Sequence, residues 1–129
     1  ESAGLFATGE APIYLSYATS PPYYAAVEGK PNFKAAKFSE GHYIQIEGIA
    51  IAKGTKNRKL AEQFIEFSLN EKFQNEIPLH QYMFPASKTT VLPDAFKYAI
   101  TPDKQLELDD KLVSEKQEGW ISEWEKIFS

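Results

Sequence analysis

A short apolar run that leads straight into a helix start constrains this fold more than any other feature. Residues 13–15 (Ile-Tyr-Leu) are typical of a buried strand. Ser20 and Pro21 follow after a short turn, and they suit a helix start because serine can cap free amides and proline has a helical φ. A strand that passes through a turn into a helix is the local arrangement found at the strand ends of open α/β sheets.

Three further segments of the N-terminal half carry structural signals. Ser2–Gly9 is typical of a helix closed by glycine, and the helix that starts at Pro21 should end near Glu28. Gly29–Ser39 has the composition of a loop and is the only plausible linker. His42–Ala52 alternates and then becomes apolar, which makes it the strongest predicted strand.

Two helices with asparagine caps are predicted next. Asn57 precedes a helical pattern over Arg58–Leu69, and Asn70 precedes a shorter one that Pro78 should stop.

The C-terminal third begins as a proline-rich connection, Leu79–Asp110, in which only Asp94–Ile100 is briefly helical. An amphipathic helix then follows, with Trp120 and Trp124 expected to pack in a core. Its apolar face carries Val113, Gln117, Trp120, Ile121, Trp124, Ile127 and Phe128.

Composition excludes several classes of function. The 129 residues suffice for one domain or a piece of a larger one, and a net charge of -4 argues against a nucleic-acid partner. The absence of cysteine excludes disulfides and thiolate nucleophiles within the chain but does not indicate a compartment. No apolar run approaches the roughly 20 residues that cross a bilayer. Because the sequence begins at Glu1 without a methionine, we expect a processed chain or a fragment.

Motifs for catalysis and for metal binding are absent from the sequence. Residues 54–56 (Gly-Thr-Lys) lack the spacing of a phosphate-binding loop, and neither GxSxG nor HExxH occurs. His42 and His80 are far apart and are interpreted as ordinary strand or loop residues. The acidic patch of Glu107, Asp109 and Asp110 lacks a partner histidine and a calcium-loop glycine, so a solvated loop is predicted there. We therefore predict no metal site.

The segment LSYATSPPYY, residues 15–24, is the strongest candidate for a binding site. Tyr17 would end the strand and Ser20 would begin the helix, so rings, hydroxyls and free amides would meet where open α/β sheets bind ligands. An aromatic face attracts a ring with a quaternary nitrogen by about 0.5 to 2 kcal/mol. A site for a flat cation is one interpretation, and ordinary packing of the tyrosines is the other.

Four segments resemble, in order, the C-terminal portion of the periplasmic thiamine-binding proteins: LSYATSPPYY, SEGHYIQIEG, FQNEIPLHQYMFP and EGWISEWEKIF. The resemblance covers nearly the whole chain. It implies an α/β fold that is the C-terminal part of a two-lobed periplasmic solute-binding protein of type II. The family's pattern Ser-Tyr-x-Thr-Ser-Pro-x-Tyr is matched by Ser16, Tyr17, Thr19, Ser20, Pro21 and Tyr23.

This resemblance also implies a function and a set of ligand-binding residues. Proteins of the family bind thiamine or its phosphates in the periplasm and present them to an ABC permease in the inner membrane, without chemistry and without a further cofactor. Tyr23 would stack on the ligand, while Tyr17 and Ser20 would offer hydroxyls to its polar parts. Tyr82 stands where the family has a tryptophan, so it is expected to form a pocket wall with a smaller ring. Packing near Phe84 is the alternative for Tyr82.

Two other functions remain open from the sequence. A receptor of the same fold could bind another solute such as ferric iron, because the adjacent Tyr23 and Tyr24 could supply oxygen ligands. Thiamine-degrading enzymes of similar fold use a cysteine nucleophile, which this chain lacks.

In the family, a first lobe precedes this portion and contributes an acidic residue and further aromatic residues to the ligand. The resemblance therefore implies that residues 1–129 lack the N-terminal lobe and can contribute to both lobes, since the family's chain crosses between them. If these residues acted alone, we would expect exposed apolar surface, weak ligand binding and self-association.

Overall fold

The computed structural model describes residues 2–128, which form two compact units. The first unit comprises residues 2–37 and 47–101, and the second comprises residues 38–46 and 102–128. The helices are α1 (Ser2–Thr8), α2 (Ser20–Ala26), α3 (Arg58–Ser68), α4 (Glu71–His80) and α5 (Asp110–Phe128), with a 3-10 helix at Asp94–Tyr98. The strands are β1 (His42–Tyr43) and β2 (Gln105–Leu106).

The core of the first unit lies where α2 packs against the 3-10 helix. Pro22 is fully buried and Tyr24 is nearly so on the side of α2, and Phe96 is buried on the side of the 3-10 helix. The backbone amide of Ile100 donates to the carbonyl of Ala18 over 3.4 Å, which ties the segment after the 3-10 helix to the turn before α2. This packing fixes α2, which carries two of the predicted site residues.

The predicted cap positions are confirmed at Asn70 and Asn57 and wrong at Ser20, and of these three residues only Asn70 makes a side-chain cap hydrogen bond. Asn70 has an extended backbone (φ -72°, ψ 158°), and its Oδ1 accepts from the amide of Phe73 at 3.0 Å. Asn57 sits at φ -114°, ψ 40°, and its side chain makes no cap hydrogen bond. Ser20 is the first residue of α2 rather than its cap, because Thr19 takes the cap position. A cap therefore depends on backbone conformation as well as on residue type.

Pro78 does not stop α4, contrary to the prediction. The helix continues to His80, with Pro78 inside its last turn and fully buried. Proline removes one intrahelical donor. Near a helix end the loss is small, because few further turns depend on that residue, and burial of the ring offsets it.

The predicted strands are mostly absent from the described residues. Residues 13–15 belong to no strand, and Leu15 is 91% exposed. Only His42–Tyr43 of the predicted strand His42–Ala52 pairs with a neighbour. The physical reason is that a strand needs a partner for its backbone hydrogen bonds, and residues 2–128 provide none for these runs.

In the second unit β1 and β2 pair in parallel, with His42 opposite Gln105. Gly41 precedes this ladder at φ +113°, and a Cβ on it would lie 2.9 Å from the carbonyl oxygen of Lys104. The close approach of the two backbones therefore requires glycine at this position.

The C-terminal helix is confirmed, but the expected burial of Trp120 and Trp124 is wrong for the part of the chain that the structure describes. None of the described α5 residues is buried, and Trp124 is 59% exposed. Its ring instead contacts that of Phe128 on the same helix at a tilt of 33°, with ring centroids 4.2 Å apart. The described residues of this unit add only a loop and two short strands, which supply no layer to cover the face. Within residues 2–128, no helix combines the length and the apolar character needed to cross a membrane.

Candidate ligand-binding site

Tyr23 and Tyr82, which are far apart in the sequence, meet in the first unit. Their ring centroids are 5.2 Å apart and the rings are nearly perpendicular, at 87°. Tyr23 lies on α2 with 38% of its surface exposed, and Tyr82 follows the end of α4. An edge-to-face pair presents two aromatic surfaces at right angles, so a flat ligand could stack on one ring and touch the other.

Tyr82 adopts a left-handed backbone conformation, with φ +50°. It comes directly after Gln81, whose amide donates to the carbonyl of Ile77 at 2.9 Å and ends α4. Glycine usually occupies this position after a helix, because a Cβ there costs about 1–2 kcal/mol. A bulky aromatic residue at positive φ is a backbone outlier of the kind that clusters at functional sites.

Tyr82 and Phe84 pack in different directions. Phe84 makes an edge-to-face contact with the buried Phe96, with ring centroids 5.5 Å apart. Tyr82 makes its ring contact with Tyr23. Phe84 therefore anchors the segment to the core, while the neighbouring Tyr82 joins the ring of Tyr23.

Ser20 lies beside a second hydroxyl that was not singled out as a site residue. Its Oγ is 2.7 Å from the Oγ of Ser16. The amide of Ser20 also donates to the carbonyl of Tyr17 at 3.0 Å, so a closed turn holds these two predicted residues together. Two hydroxyls that share one hydrogen bond keep one donor between them for a third group, such as a ligand oxygen. Ser20 and Tyr23 are three residues apart on α2 and therefore lie on the same side of that helix.

Tyr24 is a core residue, which answers the packing question for one of the tyrosines. It is only 6% exposed, and its hydroxyl lies 3.1 Å from that of Tyr14. This hydrogen bond, together with burial, raises the pKa of Tyr24 to about 12. Since an iron ligand must be a phenolate, the Tyr23-Tyr24 pair is poorly suited to bind iron.

The two histidines have ordinary structural partners. The Nε2 atom of His80 lies 3.0 Å from a carboxylate oxygen of Glu76, one turn earlier on α4. The Nε2 atom of His42 accepts from the amide of Phe38 at 3.0 Å. Among residues 2–128, no group of three His, Asp or Glu side chains is arranged to hold a metal ion.

An open cleft of about 340 Å³ also occurs in the first unit, but it contains none of the four predicted site residues. Its lining mixes apolar residues with two polar side chains, Asn32 and Lys34. The lining residues are Phe6, Gly9, Ala11, Pro12, Asn32, Phe33 and Lys34.

Comparison with known proteins gives consistent matches. Residues 1–75 match the family described as bacterial extracellular solute-binding protein. The chain is 41% identical over 129 residues to the thiamine-binding periplasmic protein of Escherichia coli and 43% identical over 126 residues to that of Brucella abortus. A solved periplasmic thiamin binding protein superposes with a TM-score of 0.84 at 41% identity over 98% of this chain. The chain spans 39% and 37% of the two relatives and 40% of the solved chain.

Proposed function

Because this chain belongs to the family of bacterial extracellular solute-binding proteins, we propose that it is part of a periplasmic receptor for thiamine and its phosphates. The observation that carries this proposal is an alignment that covers the whole chain, in which 41% of the residues are identical to those of a protein named for thiamine binding. The receptor would hand its ligand to an ABC permease in the inner membrane. Such a protein makes and breaks no bond, so its work is capture by closure and release.

We also propose that the chain is the C-terminal portion of this receptor and contributes to both of its lobes. The backbone passes between the two compact units after Lys37, Ile46 and Thr101, which supports a contribution to more than one lobe. The relatives are more than twice as long as this chain, so the N-terminal lobe would come from residues outside it.

Tyr23 and Tyr82 are proposed to contact the aromatic part of the ligand. Thiamine carries a flat pyrimidine and a thiazolium ring with a quaternary nitrogen, and both suit an aromatic surface. The perpendicular arrangement of the rings, with centroids 5.2 Å apart, supports stacking on one tyrosine and an edge contact with the other.

Ser20 and Tyr17 are proposed to bind the polar end of the ligand. The hydroxyl pair of Ser20 and Ser16 can still donate one hydrogen bond, which an alcohol or phosphate oxygen would accept. The turn that joins Tyr17 to Ser20 supports a shared role, because it keeps both residues at the start of α2.

Two alternatives have weaker support. Ferric iron would require an ionised Tyr24, and its hydrogen bond with Tyr14 and its burial oppose ionisation. A thiamine-degrading enzyme would require a cysteine nucleophile, which residues 1–129 do not contain.

The test is calorimetric titration of thiamine into the complete protein that contains this chain. We expect one-to-one binding, and Tyr23→Ala should weaken it by about 1–3 kcal/mol through lost stacking and buried area. Tyr43→Ala is the matched control, because Tyr43 is exposed on β1 in the other unit. Absence of binding heat up to millimolar thiamine would refute the proposal. An equal effect of the two substitutions would remove Tyr23 from the site.

A further inference from the structure

Gln74 is a buried polar side chain to which the function assigned above gives no role. It lies on α4 and is 4% exposed. Its Nε2 donates to the carbonyl of Ser68 at 2.8 Å, and its Oε1 accepts from the amide of Ser87 at 3.1 Å. Both ends of the carboxamide are thus used, as a buried amide requires.

These two hydrogen bonds join three parts of the first unit. Ser68 is the last residue of α3, Gln74 is in the first half of α4, and Ser87 follows the segment 81–86 that carries Tyr82. The same segment begins at Gln81, whose amide is bound to Ile77 of α4. Both ends of segment 81–86 are therefore fixed to α4. A backbone hydrogen bond from Gln81 holds the start of the segment, and the side chain of Gln74 holds Ser87, which follows its end.

We infer that Gln74 is a positioning residue that holds Tyr82 against Tyr23 by fixing the far end of segment 81–86. The edge-to-face contact of Phe84 with Phe96 also anchors the segment, but it does so near the middle of residues 81–86 rather than at their far end. The carboxamide sets a distance and a direction at Ser87. The consequence for ligand affinity rests on the proposed function, whereas the consequence for the ring position does not.

The sequence pattern is consistent with a special role for this glutamine. Gln74, Ile77 and Pro78 share the inward side of α4, and Gln74 and Pro78 are both buried. A polar residue on such a face is costly unless its bonds are made. This pattern identifies a structural glutamine, but only the fold shows that it reaches Ser87.

The experiment compares Gln74→Met with Asn70→Ala in the complete protein. Methionine has a similar length but leaves the Ser87 amide and the Ser68 carbonyl without their partner. Asn70→Ala removes one hydrogen bond from the same helix, the cap to Phe73, without involving segment 81–86. The control therefore lowers stability in the same region without releasing the segment.

The first measurement needs no ligand. With labelled tyrosines, we expect a nuclear Overhauser effect between the rings of Tyr23 and Tyr82 in the wild type and in Asn70→Ala, and its loss in Gln74→Met. Retention of this signal in Gln74→Met would overturn the inference. Should Gln74→Met fail to fold, amide exchange in the wild type decides instead. The Ser87 amide must then exchange more slowly than that of Lys88, and equal rates would overturn the inference.

The second measurement is a thermodynamic cycle with Tyr82→Ala. We expect Gln74→Met to weaken thiamine binding by about two- to tenfold when Tyr82 is present, the range that one aromatic contact supplies. In the Tyr82→Ala background the same change should have no further effect. Additive effects, or no effect of Tyr82→Ala alone, would overturn the claim about affinity. If the wild type binds no thiamine, the proposed function fails while the ring signal still decides the role of Gln74.

Discussion

The left-handed conformation of Tyr82 allows the contribution of its ring to be separated from that of its backbone. Tyr82→Ala and Tyr82→Gly both remove the ring that faces Tyr23, and they differ only in the Cβ atom. At φ +50° the Cβ of alanine destabilises the folded state by about 1–2 kcal/mol. Glycine avoids this cost but is itself less favourable by about 0.5–1 kcal/mol, because its unfolded chain has the greater conformational entropy. We therefore expect Tyr82→Gly to be the more stable variant by about 1 kcal/mol.

Ligand affinity should not follow this difference in stability. Both variants lose the same aromatic surface, so both should weaken thiamine binding by about 0.5–1.5 kcal/mol relative to the wild type. Urea unfolding of the complete protein measures the stability, and calorimetry measures the affinity. Equal stability of the two variants would refute the left-handed conformation in solution. A clear difference in their affinities would contradict the expectation that the loss of binding comes from the ring alone, because it would show a contribution of the backbone at position 82.

Three further predictions concern single substitutions. Tyr82→Trp should tighten thiamine binding by up to about fivefold, because the larger ring buries more apolar surface and thereby contributes about 1 kcal/mol. Weaker binding in calorimetry would contradict the proposed role of residue 82 as a pocket wall. The pKa of Tyr24 rises from 10.0 to about 12 on folding, so the stability that its neutral form provides is complete below pH 10 and is lost between pH 10 and 12. The wild type should therefore lose roughly 1 kcal/mol of stability between pH 10 and 12 in urea unfolding, whereas Tyr24→Phe should not, and identical pH profiles of the two proteins would contradict this prediction. Gly41→Ala should cost about 1–3 kcal/mol, because its Cβ would meet the carbonyl of Lys104; unchanged exchange of the His42 amide, which donates to that carbonyl, would show that the ladder tolerates alanine.

Helices could be predicted from the sequence because their hydrogen bonds are local. The amphipathic pattern of α5 and the Asn70 cap of α4 both depend on residues within a few positions. The strands could not be bounded in this way. The run at residues 13–15 has the right residue types, but a ladder needs a partner that residues 2–128 do not supply. The superposition on a solved relative nevertheless confirms the predicted solute-binding protein fold over nearly all of this chain.

The candidate site could be predicted only in part. The motif around Tyr17, Ser20 and Tyr23 is contiguous, so its residues were evident before the fold was known. Tyr82 was expected there only through resemblance, since no local rule brings the end of α4 to α2. The bridge from Gln74 to Ser87 could not be expected at all, because it depends on how segment 81–86 returns to the helix.

The backbone conformation at position 82 also affects how the side chain at this position can change among proteins of this family. The turn after α4 is set by the Gln81 amide and by Gln74, and neither bond involves the side chain of Tyr82. Rings of different sizes can therefore be exchanged at this position without rebuilding the loop. A single substitution of this kind would change the space between residue 82 and the ring of Tyr23. A designer who wanted to test whether the ligand preference can be altered at one position would begin by varying this residue, with α2 left unaltered.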